Sequence, residues 1–223
     1  MNLDAETIRL GLIFFILLAS VLCLRAYAQA WLAYYLGDPT PHDEGRVTLN
    51  PLPHIDLIGT VVLPLIFIFY LSPQLSRHSL SFFLGWAKPV PLSPGNFGKP
   101  GRDLVLVNFA PFGMSILLSL TAAVAGGLLL RHGHLEGANV LFQIIAINSC
   151  LMLFDLIPVP PLPSAMLLVH KGLMSSETFF RVAQWGGFAL IIALNFSPVR
   201  ALFGACQTLV AMPFALLMNL IAQ

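Results

Sequence analysis

The sequence predicts an all-α integral membrane protein, a single membrane domain over residues 1–223 with about six transmembrane helices joined by short links. Three observations carry that expectation. Of the 223 residues, 57% are hydrophobic and only 9% charged, where a soluble domain carries about 25% charge. The apolar residues gather in runs fit to cross a hydrocarbon core about 30 Å thick. Hydrocarbon offers a spanning backbone no hydrogen-bond partners, so each run must be helical. The formal charge is +1; with no basic stripe to meet phosphates, nucleic acid is excluded as a partner.

The chain opens M-N-L-D-A-E-T-I-R, acidic and without a small-residue cleavage site downstream, which predicts a retained first helix. That helix is expected over about 8–36. Residues 10–24 are apolar but for Ser20, and Trp31, Tyr34 and Tyr35 further on suit an interfacial belt. Further spans are expected at about 57–71, 104–130, 138–157, 179–196 and 199–222, the last two as a hairpin around Asn195–Pro198. The second is short for a span of about 20 residues. The longest polar link, 72–103, is too short to bury a core of its own. Cys23, Cys150 and Cys206 all lie in apolar runs, an odd count that argues against a disulfide framework.

Two patterns concern packing and orientation. Ser115, Ser119, Ala123 and Gly127 recur every four residues, a shallow stripe where another backbone can approach. It serves either packing inside the bundle or contact with a partner protein. Six spans would put Arg9, Arg77, Lys88, Lys99, Arg102, Lys171 and Arg181 on one side and Arg46, Arg131 and Arg200 on the other. The Lys/Arg bias then makes both chain ends cytoplasmic.

Three stretches carry motifs. The first is R-A-Y-A-Q-A-W-L-A-Y-Y-L-G-D-P-T from Arg25, followed by G-R-V-T-L-N-P-L-P-H-I-D. The second, G-W-A-K-P-V-P-L-S-P-G-N-F-G-K-P over 85–100, is rich in proline, so it is extended and cannot continue a helix. The third is N-S-C-L-M-L-F-D-L-I-P-V-P-P-L-P-S over 148–164. Together they resemble the site-2 protease family of intramembrane zinc metalloproteases, its compact bacterial branch, over about residues 20–165. The C-terminal helices, about 179–222, lie outside that core. The family reads H-E-x-x-H-A-x-x-A, then G-D-x-T, then G-R-x-T-L-N-P-x-x-H-I-D, and later F-N-L-I-P-x-P-P-L-D-G.

The resemblance implies a site-2-protease-like core with a short extended, β-like interfacial loop at 85–100 that offers an edge to an unwound substrate strand. It also implies which positions bore the chemistry. Arg25 stands at the first zinc histidine, Ala26 at the catalytic glutamate and Gln29 at the second histidine. Pro163 stands at the zinc aspartate, and Asp155 replaces an asparagine. A catalytic zinc needs three His, Asp, Glu or Cys ligands and an open position. Arginine has no lone pair to give, and a glutamine amide oxygen is a poor zinc ligand. His54 matches a family motif residue and is read as structural, bonding loop backbone. His42, His132 and His134 are read as loop residues.

The expectation is therefore a catalytically inactive member of the family, not an enzyme, with no cofactor and no zinc. It would work as a binding or scaffold subunit of a larger assembly in a bacterial inner membrane. Its partners would be lipid and the transmembrane segments of other proteins, in a hetero-oligomer. The alternatives are an intramembrane zinc metalloprotease and a small transport or anion-binding protein centred on Arg25. For the vacated positions, the expectation is an Arg25–Asp155 ion pair with Gln29 as a hydrogen-bond neighbour. Against it stands an Arg25 that snorkels towards headgroups past Trp31.

Overall fold

A computed structural model describes residues 5–66 and 85–223, and among them every regular element is helical. The long elements are α1 (Ala5–Tyr35), α2 (Pro100–Arg131), α3 (Leu135–Leu156), α4 (Pro163–His170), α5 (Ser176–Asn195) and α6 (Ser197–Ala222). Their ends follow local rules. Pro100, Pro163 and Pro198 each sit in a first turn, where a missing N–H costs no helical bond. Ser175 caps α5 by accepting from Thr178 N. Gly133, at φ +78°, turns the chain sharply between α2 and α3.

Packing fixes the register. Phe14, Leu18 and Leu22 of α1 join Ile147 and Leu151 of α3 in one buried cluster, so the two helices run side by side in the same direction. Ala33, near the end of α1, packs with Phe97 and Val107, so α2 starts where α1 ends and runs back. Met218 of α6 packs with Ala122 and Ala123 of α2 and Ile145 of α3. The bundle therefore has one end holding Arg9, Arg131 and the close of α6. The other end, the mouth, holds the close of α1 and the starts of α2 and α6.

The small-residue stripe lies inside this bundle. Ser115, Ser119 and Ala123 are fully buried, and a Cβ at Gly127 would stand 2.6 Å from the backbone oxygen of Met218. Close approach of α6 to α2 needs those small residues.

Four helices, α1, α2, α3 and α6, are long and apolar enough to cross a membrane. Two of the expected spans, 57–71 and 179–196, are not among these four. The described part of the run at 57–71, Leu57–Ile66, is helical. Residues 67–71, like Arg77, lie outside the described residues. Asp38, just after α1, accepts from Ser93 N at 2.7 Å and Asn96 Nδ2 at 3.1 Å, just before α2. The run at 179–196 does form a helix, α5, but Glu177, Arg181, Gln184, Gly186 and Gly187 make it more polar than the other four. The expected grouping of cations changes with it. Arg9 stands at the end opposite Lys99 and Arg102, and Arg200, in the first turn of α6, stands at theirs.

Candidate functional site

The second half of α1 and the second half of α3 flank a cavity of about 340 Å³ in the half of the bundle nearer the mouth. Its floor holds Arg25, Gln29 and Asp155. One wall is the extended backbone of residues 85–90. The other is the α3–α4 loop, residues 159–162, with Gly186 and Leu190 of α5. Leu22, Leu151 and Phe154 make the remainder apolar.

The floor is an ion pair. Arg25 Nη2 donates to Asp155 Oδ1 at 2.9 Å and Oδ2 at 2.7 Å, with the two residues 7% and 5% exposed. Arg25 Nη1 donates to Pro111 O at 3.1 Å and to Ser115 Oγ. The arginine thus ties α1 to α2 and α3 at once and does not snorkel. A buried charge is tolerated when paired and hydrogen-bonded, and both conditions hold. Gln29 lines the cavity but makes no hydrogen bond to either member of the pair among the described residues.

The extended wall is held from behind. Trp86 N donates to Gly59 O at 3.2 Å and Lys88 N to His54 O at 2.8 Å, while Thr60 Oγ1 donates to Trp86 O at 2.8 Å. A Cβ at Gly59 would run into the Trp86 indole, so glycine admits the contact. Arg46, 3% exposed, reaches under the wall and donates through Nη2 to Lys88 O at 3.3 Å and to Pro89 O. Its burial lowers its proton affinity, against the opposing effect of Glu44.

His54 is 1% exposed, and its Nε2 lies 2.9 Å from Thr48 O. Burial holds its imidazole below the ordinary value; the Thr48 bond works the other way, and Arg46 adds to the lowering. Asp38 accepts four bonds, from Thr40 N and Oγ1, Ser93 N and Asn96 Nδ2. Burial alone would raise its carboxyl, but these bonds outweigh it and hold the group below the usual range.

The fold therefore gathers Arg25, Ala26, Gln29 and Asp155 around one cavity. Pro163 begins α4 just beyond the lining, and His54 supports the wall from outside it. Ser115 belongs to two features, as the first member of the small-residue stripe and as a partner of Arg25. Sequence reasoning placed Ser115 only in the packing stripe and missed Arg46 and Asp38 as site residues. The last two lie in the G-R-V-T and G-D-P-T stretches that had marked the region.

Fold and site define a polytopic α-helical membrane protein with an internal cavity that opens beside an extended backbone segment. No family model and no solved structure matches the chain. A Bacillus subtilis (strain 168) protein named "Putative zinc metalloprotease YwhC" is 30% identical over 186 residues, covering 79% of this chain and 76% of that protein. The chain belongs to the family of that zinc metalloprotease.

Membership corrects one expectation, that the chain is not an enzyme. It rested on four motif positions, whereas the likeness runs along 186 residues of a relative whose name is that of a protease. Proteolysis is what the family points to. The zinc in the relative's name is a separate matter, and the residues around this cavity do not fit it. Arg25 and Ala26 offer no lone pair, Gln29 offers an amide oxygen, and the carboxylate of Asp155 is already engaged by Arg25. Among the described residues, no three His, Cys, Asp or Glu side chains gather in a way that could hold a metal.

Proposed function

We propose that the chain binds a membrane-embedded segment of another membrane protein in this cavity, as a subunit of a larger assembly in a bacterial inner membrane. One observation carries the reading, the arrangement of the extended wall. The N–H groups of Trp86 and Lys88 turn to the Gly59–His54 side. In extended backbone successive residues turn opposite ways, so the N–H and C=O of Ala87 face the other side, where the cavity lies. An open backbone edge takes an extended peptide by strand addition. The amide of Gln29 supplies a further donor and acceptor on the floor.

The relative's name favours a second reading, in which the bound segment is also cut. Binding is common to both. A photoreactive residue at Val90 or Leu190, both in the lining, should cross-link a membrane protein in native membranes. Ala87→Pro, which removes the open N–H, should abolish the adduct. Cross-links to lipid alone, or adducts indifferent to Ala87→Pro, would overturn the binding reading. Fragments of the cross-linked partner, absent from cells lacking this chain, would establish cutting.

A further inference from the structure

At the mouth, α4 closes on the first turn of α2. Gly101 permits the approach, since a Cβ there would stand 2.8 Å from His170 Nδ1. The contact brings His170 and Lys171, at the close of α4, beside Lys99 and Arg102, at the start of α2, and all four are exposed. The acid among them, Asp103, is 2% exposed and turned inward. It accepts from Lys99 N at 2.8 Å and from Arg102 Nε at 2.9 Å. It pairs with Arg102 and feels the charge of Lys99, though neither Lys99 nor Lys171 has a carboxylate within ion-pair reach among the described residues.

The depth of this group is marked independently. It crowns α2, a membrane-crossing helix. At the same end, α1 exposes Trp31, Tyr34 and Tyr35, with the rings of Trp31 and Tyr35 stacked 5.6 Å apart. Such aromatics collect at headgroup level. Cations at that level meet lipid phosphates.

We propose that Lys99, Arg102, His170 and Lys171 bind the phosphate headgroup of an anionic phospholipid. Lys171 supplies a charge with no carboxylate in ion-pair reach among the described residues, and Lys99 a charge partly offset by Asp103. Arg102, its Nε and Nη2 held by Asp103, keeps Nη1 for the ligand, and His170 closes the site from α4. Basic pockets between membrane helices take anionic headgroups by this chemistry. The occupant is a lipid, because the site opens at the headgroup level beside apolar helix.

The test uses the full chain in mild detergent with equal amounts of phosphatidylglycerol and phosphatidylcholine, read by native mass spectrometry. Phosphatidylglycerol adducts should exceed phosphatidylcholine adducts by about fivefold or more, from about 1 kcal/mol per basic residue near a headgroup. Lys99→Gln with Lys171→Gln should bring the two lipids near parity. Arg131→Gln, at the opposite end of α2, should leave the preference intact. Equal retention by the unaltered protein, or a preference that survives the double substitution, would overturn the proposal. So would displacement of the lipid by millimolar inorganic phosphate. Should the double variant fail to fold, a photoactivatable phosphatidylglycerol on the unaltered chain decides. Adducts on 99–102 or 170–171 uphold the site, and adducts confined elsewhere overturn it.

Discussion

Arg25 Nη2 sits astride the Asp155 carboxylate, 2.7 and 2.9 Å from its two oxygens, and joins α1 to α3 at the floor of the cavity. Removing one member strands the other in an apolar bundle, which typically costs about 3–5 kcal/mol, whereas removing both is far milder. Arg25→Met and Asp155→Asn should each lower unfolding stability by about that much. The double variant should lose much less than the sum, as a double-mutant cycle in detergent would read. Two small, additive losses would show that the bonds to Pro111 and Ser115 hold Arg25 without the acid.

Why that pair was legible in the sequence, and its surroundings were not, is a matter of distance along the chain. Arg25 is a charge in an apolar run, and Asp155 is an acid where the resembled motif has a neutral amide, so each signals alone. Ser115 signals only smallness, and its hydrogen bond to a residue 90 positions earlier depends on how α1 crosses α2. Arg46 reads as a loop cation because nothing local says that the wall will fold over it. The four crossing helices were legible from apolar length alone. The run at 179–196 is a helix, as its apolar residues indicate, but a more polar one than those four. What its sequence does not reveal is that Gly186 is where α5 meets the backbone of Pro160.

The buried stripe makes a second expectation. Gly127→Ala would press a methyl group against the Met218 backbone oxygen and Ile221. Overpacking of this kind costs about 1–3 kcal/mol. Gly204→Ala, with no atom within 4 Å of the added Cβ, should be neutral or gain up to about 1 kcal/mol from helix propensity. Thermal unfolding of the two variants checks the contrast. Equal behaviour would mean that α6 is not seated on α2 at this point.

Acid should loosen the wall through His54. Its imidazole is held below the ordinary value of about 6.5, chiefly by burial. The unfolded chain therefore takes up the proton more readily than the folded one. The stability tied to neutral His54 is fully present above that value and is lost as pH falls from about 6.5 downward. Asp38, also held low, adds a loss of the same sign beginning near pH 3.9. Unfolding temperature should fall between about pH 6.5 and 5, and His54→Gln should flatten that step. A step unchanged in His54→Gln would assign it to another group.

The last expectation concerns which way the bundle faces. Among the described residues, Arg46, Lys88, Lys99, Arg102, Lys171 and Arg200 stand at the mouth, against Arg9 and Arg131 at the other end, with Arg181 on α5 counted at neither. The Lys/Arg bias of short loops sets orientation, with acids contributing little. Applied to these ends, it turns the mouth to the cytoplasm and the Arg9 end away from it. That reverses the orientation expected from six spans, which had placed Arg9 on the side of Lys99. With Cys23, Cys150 and Cys206 replaced by alanine, two reporters distinguish the cases. Gly95→Cys lies in open space at the mouth, and His132→Cys is exposed at the opposite end. A membrane-impermeant maleimide should label His132→Cys in cells whose outer barrier is permeabilised, and Gly95→Cys only after the inner membrane is broken. The opposite pattern would mean that charge at the mouth serves lipid binding there without setting the direction of insertion.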